Sequence, residues 1–178
     1  MKMTLEWTVL SREEIEAMVT RVAAEINEAT KDVDRPVFVG IMKGAYIWMA
    51  DILRALERDV ETDYIDVSSY DGDSSTGVIT INRDISSDIV GKTVILLDEV
   101  IDTGLTLHYL KELFQKRGAA KVYVAVATDK REDSSVGGIQ IDFLGARVPN
   151  EFLVGYGMDY NNHFRNLDRV AVLSLSED

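Results

Sequence analysis

The fold of this chain is decided by the stretch Val94-Ile95-Leu96-Leu97-Asp98-Glu99-Val100-Ile101-Asp102-Thr103-Gly104-Leu105-Thr106. Its apolar first part predicts a buried central strand that ends at the two adjacent carboxylates. The amphipathic run from Leu107 to Phe114 predicts a helix after the turn. Because ligands of open α/β sheets bind outside the carboxyl ends of the strands, we expect the polar side chains of this stretch to line a crevice.

The turn from Asp102 to Thr106 has the parts of a site for a phosphate monoester. It offers backbone N–H groups, two hydroxyls and the N-terminus of a helix. The carboxylates of Asp98 and Glu99 would repel a phosphate unless they hold ribose hydroxyls or a Mg²⁺ ion that bridges to further phosphates. The stretch therefore predicts a phosphorylated sugar that carries a second, metal-bound anionic group.

This stretch closely resembles the fingerprint of the type I phosphoribosyltransferases, which bind 5-phosphoribosyl-1-pyrophosphate. The resemblance implies an α/β fold with a mainly parallel central sheet, flanking helices and a small hood. It also implies Mg²⁺ as cofactor. The acid pair reads Asp98-Glu99, whereas this branch more often has Glu before Asp, so which acid meets ribose and which meets metal stays open. The phosphoribosyl group is expected on Asp98, Glu99, Asp102, Thr103, Gly104, Leu105 and Thr106.

Composition narrows the class of protein. The length of 178 residues fits one domain, and the absence of cysteine excludes a disulfide framework or a thiolate metal site. A net charge of −12 opposes an extended nucleic-acid footprint. No run approaches the ~20 apolar residues of a membrane span, and the N-terminus lacks an apolar signal region. We therefore expect a cytoplasmic protein.

The rest of the chain alternates strands with helices. Ser11 and Glu14 form a capping-box pattern before an amphipathic helix. The alternation predicts a mainly parallel sheet covered on both faces, in one domain of residues 1–178 with a core of about 36–145 and a hood of about 146–178 plus N-terminal residues. The expected strands span 36–41, 61–70, 77–83, 121–128, 139–144 and 170–173, and a further helix spans 45–56.

The turn Gly40-Ile41-Met42-Lys43-Gly44-Ala45 is a second candidate site. A lysine between small residues at the end of a central strand can place its ammonium and nearby N–H groups against an anion. In the resembling purine enzymes this loop binds pyrophosphate, and its lysine follows a cis peptide bond. The resemblance thus implies pyrophosphate contacts from Lys43 and Gly44, with a cis bond between Met42 and Lys43.

A third cluster lies between Val148 and Leu167. Its two nearby glycines, Gly155 and Gly157, lack the third glycine and the helix of a dinucleotide-binding motif. The segment closely resembles the purine-binding region of hypoxanthine and hypoxanthine-guanine phosphoribosyltransferases. That resemblance makes Phe152 the ring that stacks on the base and Leu153 a backbone contact to it. It also places Asp159 near a metal ion and Arg165 on pyrophosphate.

The resemblance completes the candidate site with Lys130, matched to a lysine that contacts the exocyclic purine oxygen, and with Ser69 and Tyr70 on a lid. It implies transfer of the phosphoribosyl group to hypoxanthine or guanine, with Asp102 as general base and Asp98, Glu99 and Asp159 as metal ligands. Two alternatives stay open: transfer to xanthine or another base, and a phosphoribosyltransferase fold that serves as an RNA-binding regulator. The family forms dimers and tetramers, so the resemblance implies a homodimer or homotetramer and leaves the choice between them open.

Overall fold

The structure is a computed structural model that describes residues 2–69, 79–133 and 138–176. Its strands are β1 (Lys2–Leu10), β2 (Val37–Met42), β3 (Glu61–Ser69), β4 (Ile79–Arg83), β5 (Thr93–Ile101), β6 (Lys121–Asp129), β7 (Phe143–Arg147), β8 (Leu153–Val154) and β9 (Val170–Ser176). Its helices are α1 (Arg12–Ala29), α2 (Tyr46–Ala55) and α3 (Leu105–Lys116).

The main sheet has the strand order β4-β3-β2-β5-β6-β7. Its neighbours run parallel except β4, which is antiparallel to β3 at the edge. Parallel strands need helical crossovers, which cover both faces of the sheet. The predicted α/β class with a mainly parallel central sheet is therefore confirmed.

Alternate residues of β5 face opposite layers, as the pleat of a strand requires. Ile95 and Leu97 belong to the core under α1 and α2, whereas Val94 and Leu96 belong to the core under α3. This double burial explains why the sequence of β5 is a continuous apolar run rather than an alternating one.

The capping box before α1 is confirmed. The Ser11 side chain accepts a hydrogen bond from the Glu14 N–H, and the Glu14 carboxylate accepts one from the Ser11 N–H. These contacts satisfy N–H groups that the first helical turn leaves unpaired. The buried stripe of α1 then packs in the first core, and it consists of Ile15, Met18, Val19, Val22, Ala23 and Ile26.

The termini build a second sheet in the order β1-β9-β8. Residues Lys2 and Ser176 are partners in its antiparallel β1–β9 pair. No helix in the described part of the chain is long and apolar enough to cross a membrane.

Three strand predictions were wrong in their bounds. The strand expected at residues 170–173 continues to Ser176, because its antiparallel pairing with β1 continues to Lys2. The strand expected at residues 139–144 begins at Phe143 and ends at Arg147, because its pairing with β6 starts at Ala125 and Phe143. The strand expected to end at the acid pair continues to Ile101, because hydrogen bonding to β6 continues up to Asp129.

Candidate active site

The site lies where β2, β5 and β6 end. Pairing between β2 and β5 stops at Gly40 and Leu97, whereas pairing between β5 and β6 continues past this level. The acid pair therefore follows the last residue that is paired to β2 and borders the loop that leaves that strand. Because β5 remains paired to β6 after its pairing to β2 has stopped, a crevice opens between β2 and β5 at the carboxyl ends of the strands. Ligands of open α/β sheets bind at such a place.

The acid pair is crowded and electrostatically unusual. Burial and then the negative charge of Glu99 raise the pKa of Asp98 well above its usual range. Burial raises the pKa of Glu99 also. A Cβ atom on Gly44 would overlap the Glu99 carboxylate, so only glycine permits this close approach between the loop and the acid pair.

The loop after β5 turns into α3 through Gly104, whose φ is 79°. This left-handed conformation favours glycine, which has no Cβ. The Thr103 Oγ1 accepts a hydrogen bond from the Leu105 N–H at 3.4 Å. Asp102 and Thr103 are exposed. The first turn of α3 presents its N–H groups at an accessible helix N-terminus, which is suited to an anion.

One cavity, of about 190 Å³, brings together residues from β5, the loops that follow β5 and β6, and the C-terminal segment. The Lys130 Nζ lies 3.2 Å from the Asp102 Oδ2. Phe152 is 48% exposed, unlike a core phenylalanine, and its ring meets the Tyr160 ring edge-on at 5.8 Å. This cavity offers an accessible aromatic face beside an ammonium and a carboxylate, and its lining is Glu99, Val100, Asp102, Lys130, Phe152, Leu153, Met158 and Asp159.

A second cavity, of about 620 Å³, is lined by more cations than anions. The peptide bond between Met42 and Lys43 on its wall is cis, as the resemblance implied. The Arg83 guanidinium lies over the Tyr64 ring at 3.6 Å. This composition suits a polyanion, and the lining is Met42, Lys43, Tyr46, Tyr64, Asp66, Arg83, Asn162 and Arg165.

An ion pair joins the two cavities. The Arg165 Nη2 lies 2.6 Å from an Asp159 oxygen, and Asp159 lines the first cavity while Arg165 lines the second. The Arg165 Nη1 donates to the Gly157 carbonyl at 2.5 Å. Among the described residues, the Arg165 Nε is one of the few buried side-chain donors without a hydrogen-bond partner. A buried donor of this kind can serve a bound acceptor.

The structure places eight of the sixteen sequence-predicted residues in the lining of these two cavities, namely Lys43, Glu99, Asp102, Lys130, Phe152, Leu153, Asp159 and Arg165. Asp98 and Gly44 line neither cavity, although each adjoins a residue that does. Thr103, Gly104, Leu105 and Thr106 lie beside the cavities, in the turn before α3 and its first residues. Ser69 is the last residue of β3, and Tyr70 lies outside the described residues.

Sequence reasoning missed Asp66 and Arg83, although both carry a signal. Asp66 is the partner of Met42 on β2 and of Arg83 on β4, so register places all three at one end of the sheet. A charged residue at that end of each strand was visible in the sequence, but the register that aligns them was not.

The chain is similar to one family along most of its length. The model of the phosphoribosyl transferase domain matches residues 7–161. A hypoxanthine-guanine phosphoribosyltransferase of Bacillus subtilis is 37% identical over 174 residues, covering 97% of this chain and 96% of the relative. A hypoxanthine-guanine-xanthine phosphoribosyltransferase of Tritrichomonas foetus is 35% identical, covering 97% of this chain and 93% of the relative. A crystal structure of a hypoxanthine-guanine phosphoribosyltransferase from Bacillus anthracis matches with a TM-score of 0.90 and 31% identity, covering 98% of this chain and 100% of that chain.

Proposed function

This chain belongs to the phosphoribosyl transferase family, and on that premise we propose that it is a purine-salvage enzyme. It transfers the 5-phosphoribosyl group from 5-phosphoribosyl-1-pyrophosphate to hypoxanthine or guanine, giving IMP or GMP and pyrophosphate. The observation that carries the proposal is the contact between Lys130 and Asp102 beside the exposed Phe152 ring, next to the cavity rich in cations.

The first cavity has the chemistry to recognise a 6-oxopurine. The Lys130 ammonium can donate to a carbonyl oxygen, but it has no acceptor for the amino group of adenine. The Phe152 face is exposed and can stack on a planar base. The backbone of Leu153, at the start of β8, supplies peptide groups at the cavity wall for the edge of the base.

Asp102 is the proposed general base. As N9 of the purine attacks C1 of the ribose, the bond from C1 to the pyrophosphate oxygen breaks and N7 loses its proton. The Asp102 carboxylate lines the same cavity as Lys130 and can accept that proton. The Lys130 ammonium 3.2 Å away holds the carboxylate at the cavity.

Two sets of residues bind the phosphates. Thr103, Gly104, Leu105 and Thr106 anchor the 5-phosphate at the N-terminus of α3. Lys43, the Gly44 backbone and Arg165 bind the leaving pyrophosphate in the second cavity and neutralise its developing charge. Ser69 and Tyr70 are proposed as part of a lid on the strength of the family resemblance.

The acid pair fits a magnesium ion that arrives with its substrate. Among residues 2–69, 79–133 and 138–176, no three potential metal ligands are clustered as a ready site. Mg²⁺ commonly takes one or two carboxylates and completes its shell with substrate phosphates and water. Asp98, Glu99 and Asp159 would supply these carboxylates. Burial raises the pKa of both members of the acid pair, and the charge of Glu99 raises that of Asp98 further, so a cation at this place would favour their charged forms. When bound, Mg²⁺ neutralises charge on the pyrophosphate.

A panel of bases mixed with phosphoribosyl pyrophosphate and Mg²⁺ tests the proposal, with nucleotide formation as the readout. Hypoxanthine and guanine should yield IMP and GMP, and adenine should react far more slowly. Xanthine belongs in the panel because the Tritrichomonas foetus relative is named for it also. Nucleotide from none of the 6-oxopurines would refute the activity, and filter binding to RNA at two salt concentrations would then examine the regulator alternative.

We propose further that residues 1–178 act as one domain in the cytoplasm, as a homodimer or homotetramer. Association is supported by exposed apolar side chains on the terminal strands, namely Met3, Trp7 and Leu175. Light scattering on the purified protein measures the oligomeric state.

A further inference from the structure

A left-handed turn precedes Asp159 in the C-terminal segment. Gly155, Tyr156 and Gly157 have φ angles of 95°, 49° and 100°. Glycine adopts such angles freely, but the Cβ of a tyrosine makes them unfavourable. The backbone of the turn is held in part by the Tyr156 N–H, which donates to the Leu167 carbonyl at 3.0 Å, and the Tyr156 side chain adds contacts of its own.

Those contacts tie the turn to α2. Tyr156 is only 3% exposed, and its ring meets the buried Trp48 ring edge-on at 6.4 Å. Its hydroxyl donates a hydrogen bond to the Asp51 Oδ2 at 2.8 Å. Burial and the neighbouring Asp51 carboxylate raise the pKa of this hydroxyl, so it remains a donor throughout the neutral range.

Asp51 is connected rigidly to the loop that leaves β2. It lies on α2, which begins at Tyr46 directly after Lys43, Gly44 and Ala45. The helix buries Trp48, Met49 and Ile52 against the core, so it cannot shift independently of the sheet. The Tyr156 hydroxyl thus donates its hydrogen bond to a helix, α2, that continues directly from the candidate pyrophosphate loop and is fixed by its packing.

The other side of the turn carries Arg165. The Gly157 N–H donates to the Arg165 carbonyl at 3.0 Å, and the Gly157 carbonyl accepts from the Arg165 Nη1 at 2.5 Å. A Cβ atom on Gly157 would overlap the Gly44 carbonyl oxygen. The turn is therefore packed between the loop that holds Lys43 and the guanidinium that faces the same cavity.

We propose, building on the function proposed above, that Tyr156 is a positioning residue for the pyrophosphate half of the site. Its hydroxyl bond to Asp51 keeps Gly157 against Gly44, and Gly157 in turn keeps the Arg165 guanidinium beside Lys43. Lys130 follows the end of β6, on a different element. Phe152 and Leu153 precede the turn, but hydrogen bonding to β9 holds them in place, so their contacts with the base depend less on the turn than the Arg165 guanidinium does. Loss of the hydroxyl should consequently weaken pyrophosphate more than the base.

The variant Tyr156→Phe tests this because it removes one oxygen and keeps the ring against Trp48. We expect the KM for pyrophosphate, measured in the reverse reaction with IMP, to rise about three- to tenfold, as for loss of one hydrogen bond. The KM for hypoxanthine in the forward reaction should change less than about twofold. Calorimetric titration with pyrophosphate and Mg²⁺ should show the same weakening without catalysis. Tyr123→Phe is the matched control, since that half-buried ring packs on Phe143 in the sheet, away from both cavities.

Variants of the acceptor separate positioning from a general structural effect. Asp51→Asn keeps an acceptor oxygen and should behave nearly as the unaltered protein, whereas Asp51→Ala should reproduce Tyr156→Phe. The double variant Tyr156→Phe with Asp51→Ala should be no worse than either single variant, because both remove the same bond. Asp51 lines an open cavity of about 640 Å³, so water can replace the lost partner and the variants should fold.

Three outcomes would overturn the positioning role: an unchanged KM for pyrophosphate, equal increases in both KM values, or additive effects in the double variant. Failure of the unaltered protein to form nucleotide would refute the proposed activity alone, since the calorimetric comparison would still measure the role of Tyr156. Failure of the unaltered protein to bind pyrophosphate would refute both.

Discussion

Replacement of Lys130 by alanine should remove the preference for 6-oxopurines. The Lys130 side chain is only 18% exposed, and its Nζ lies 3.2 Å from the Asp102 carboxylate in the small cavity. Its ammonium is therefore held where it can meet a carbonyl oxygen on a base stacked on Phe152.

The expected loss of activity depends on which contact of Lys130 contributes more, the ion pair with Asp102 or the hydrogen bond to the base. The Asp102 side chain is 67% exposed, so its ion pair with Lys130 is screened by water and contributes only about 0–1 kcal/mol. A hydrogen bond from an ammonium to the base oxygen in the partly enclosed cavity is worth about 1.5–3 kcal/mol. We therefore expect kcat/KM for hypoxanthine and guanine to fall about tenfold to a hundredfold.

Steady-state kinetics with hypoxanthine, guanine and adenine measure this effect. Lys111→Ala is the matched control, because Lys111 is 23% exposed, lies 3.6 Å from the Asp142 carboxylate and stands on α3 away from both cavities. Lys130→Ala should lower kcat/KM for the two 6-oxopurines and reduce the ratio of these values to kcat/KM for adenine. Unchanged values for hypoxanthine and guanine, or an equal loss in Lys111→Ala, would refute the assigned contact.

Three further substitutions have defined outcomes. Asp102→Asn should lower kcat about 10²- to 10⁴-fold while calorimetry shows little change in phosphoribosyl pyrophosphate affinity, and equal turnover would contradict its role as a base. Gly44→Ala should lower kcat/KM about 10²-fold because its Cβ would displace the Glu99 carboxylate; full activity would contradict the close approach. Asp63→Asn should lower the free energy of unfolding by about 2 kcal/mol at pH 7. Burial raises the Asp63 pKa, but N–H donors from Ser87, Tyr64 and Ser86 outweigh it and lower the pKa from 3.8 to about 2. The stabilisation by the Asp63 carboxylate is complete above pH 3.8 and is lost as the pH falls through about 2. Denaturation of the unaltered protein and of Asp63→Asn should therefore show a smaller difference in the free energy of unfolding at pH 3 than at pH 7. An equal difference at the two pH values would contradict this role of Asp63.

Local signals were enough for much of the fold. The capping box of α1, the apolar run of β5 and the tight turn before α3 each depend on a few neighbouring residues, because capping, strand burial and turn conformation are short-range effects. The alternation Met3, Leu5, Trp7 and Val9 is a comparable local signal for β1.

Contacts between distant segments decided what local signals could not. The end of β5 at Ile101 was set by its hydrogen bonds to β6, and the meeting of Asp66 with Arg83 was set by strand register. The contact of Tyr156 with Asp51 joins residues 105 positions apart, and no pattern in either segment specifies it. Residue type and spacing thus determined the chemistry available to this protein. The pairing of the strands and the packing of α2 determined which groups act together, because a contact forms only where both partners are already held in place.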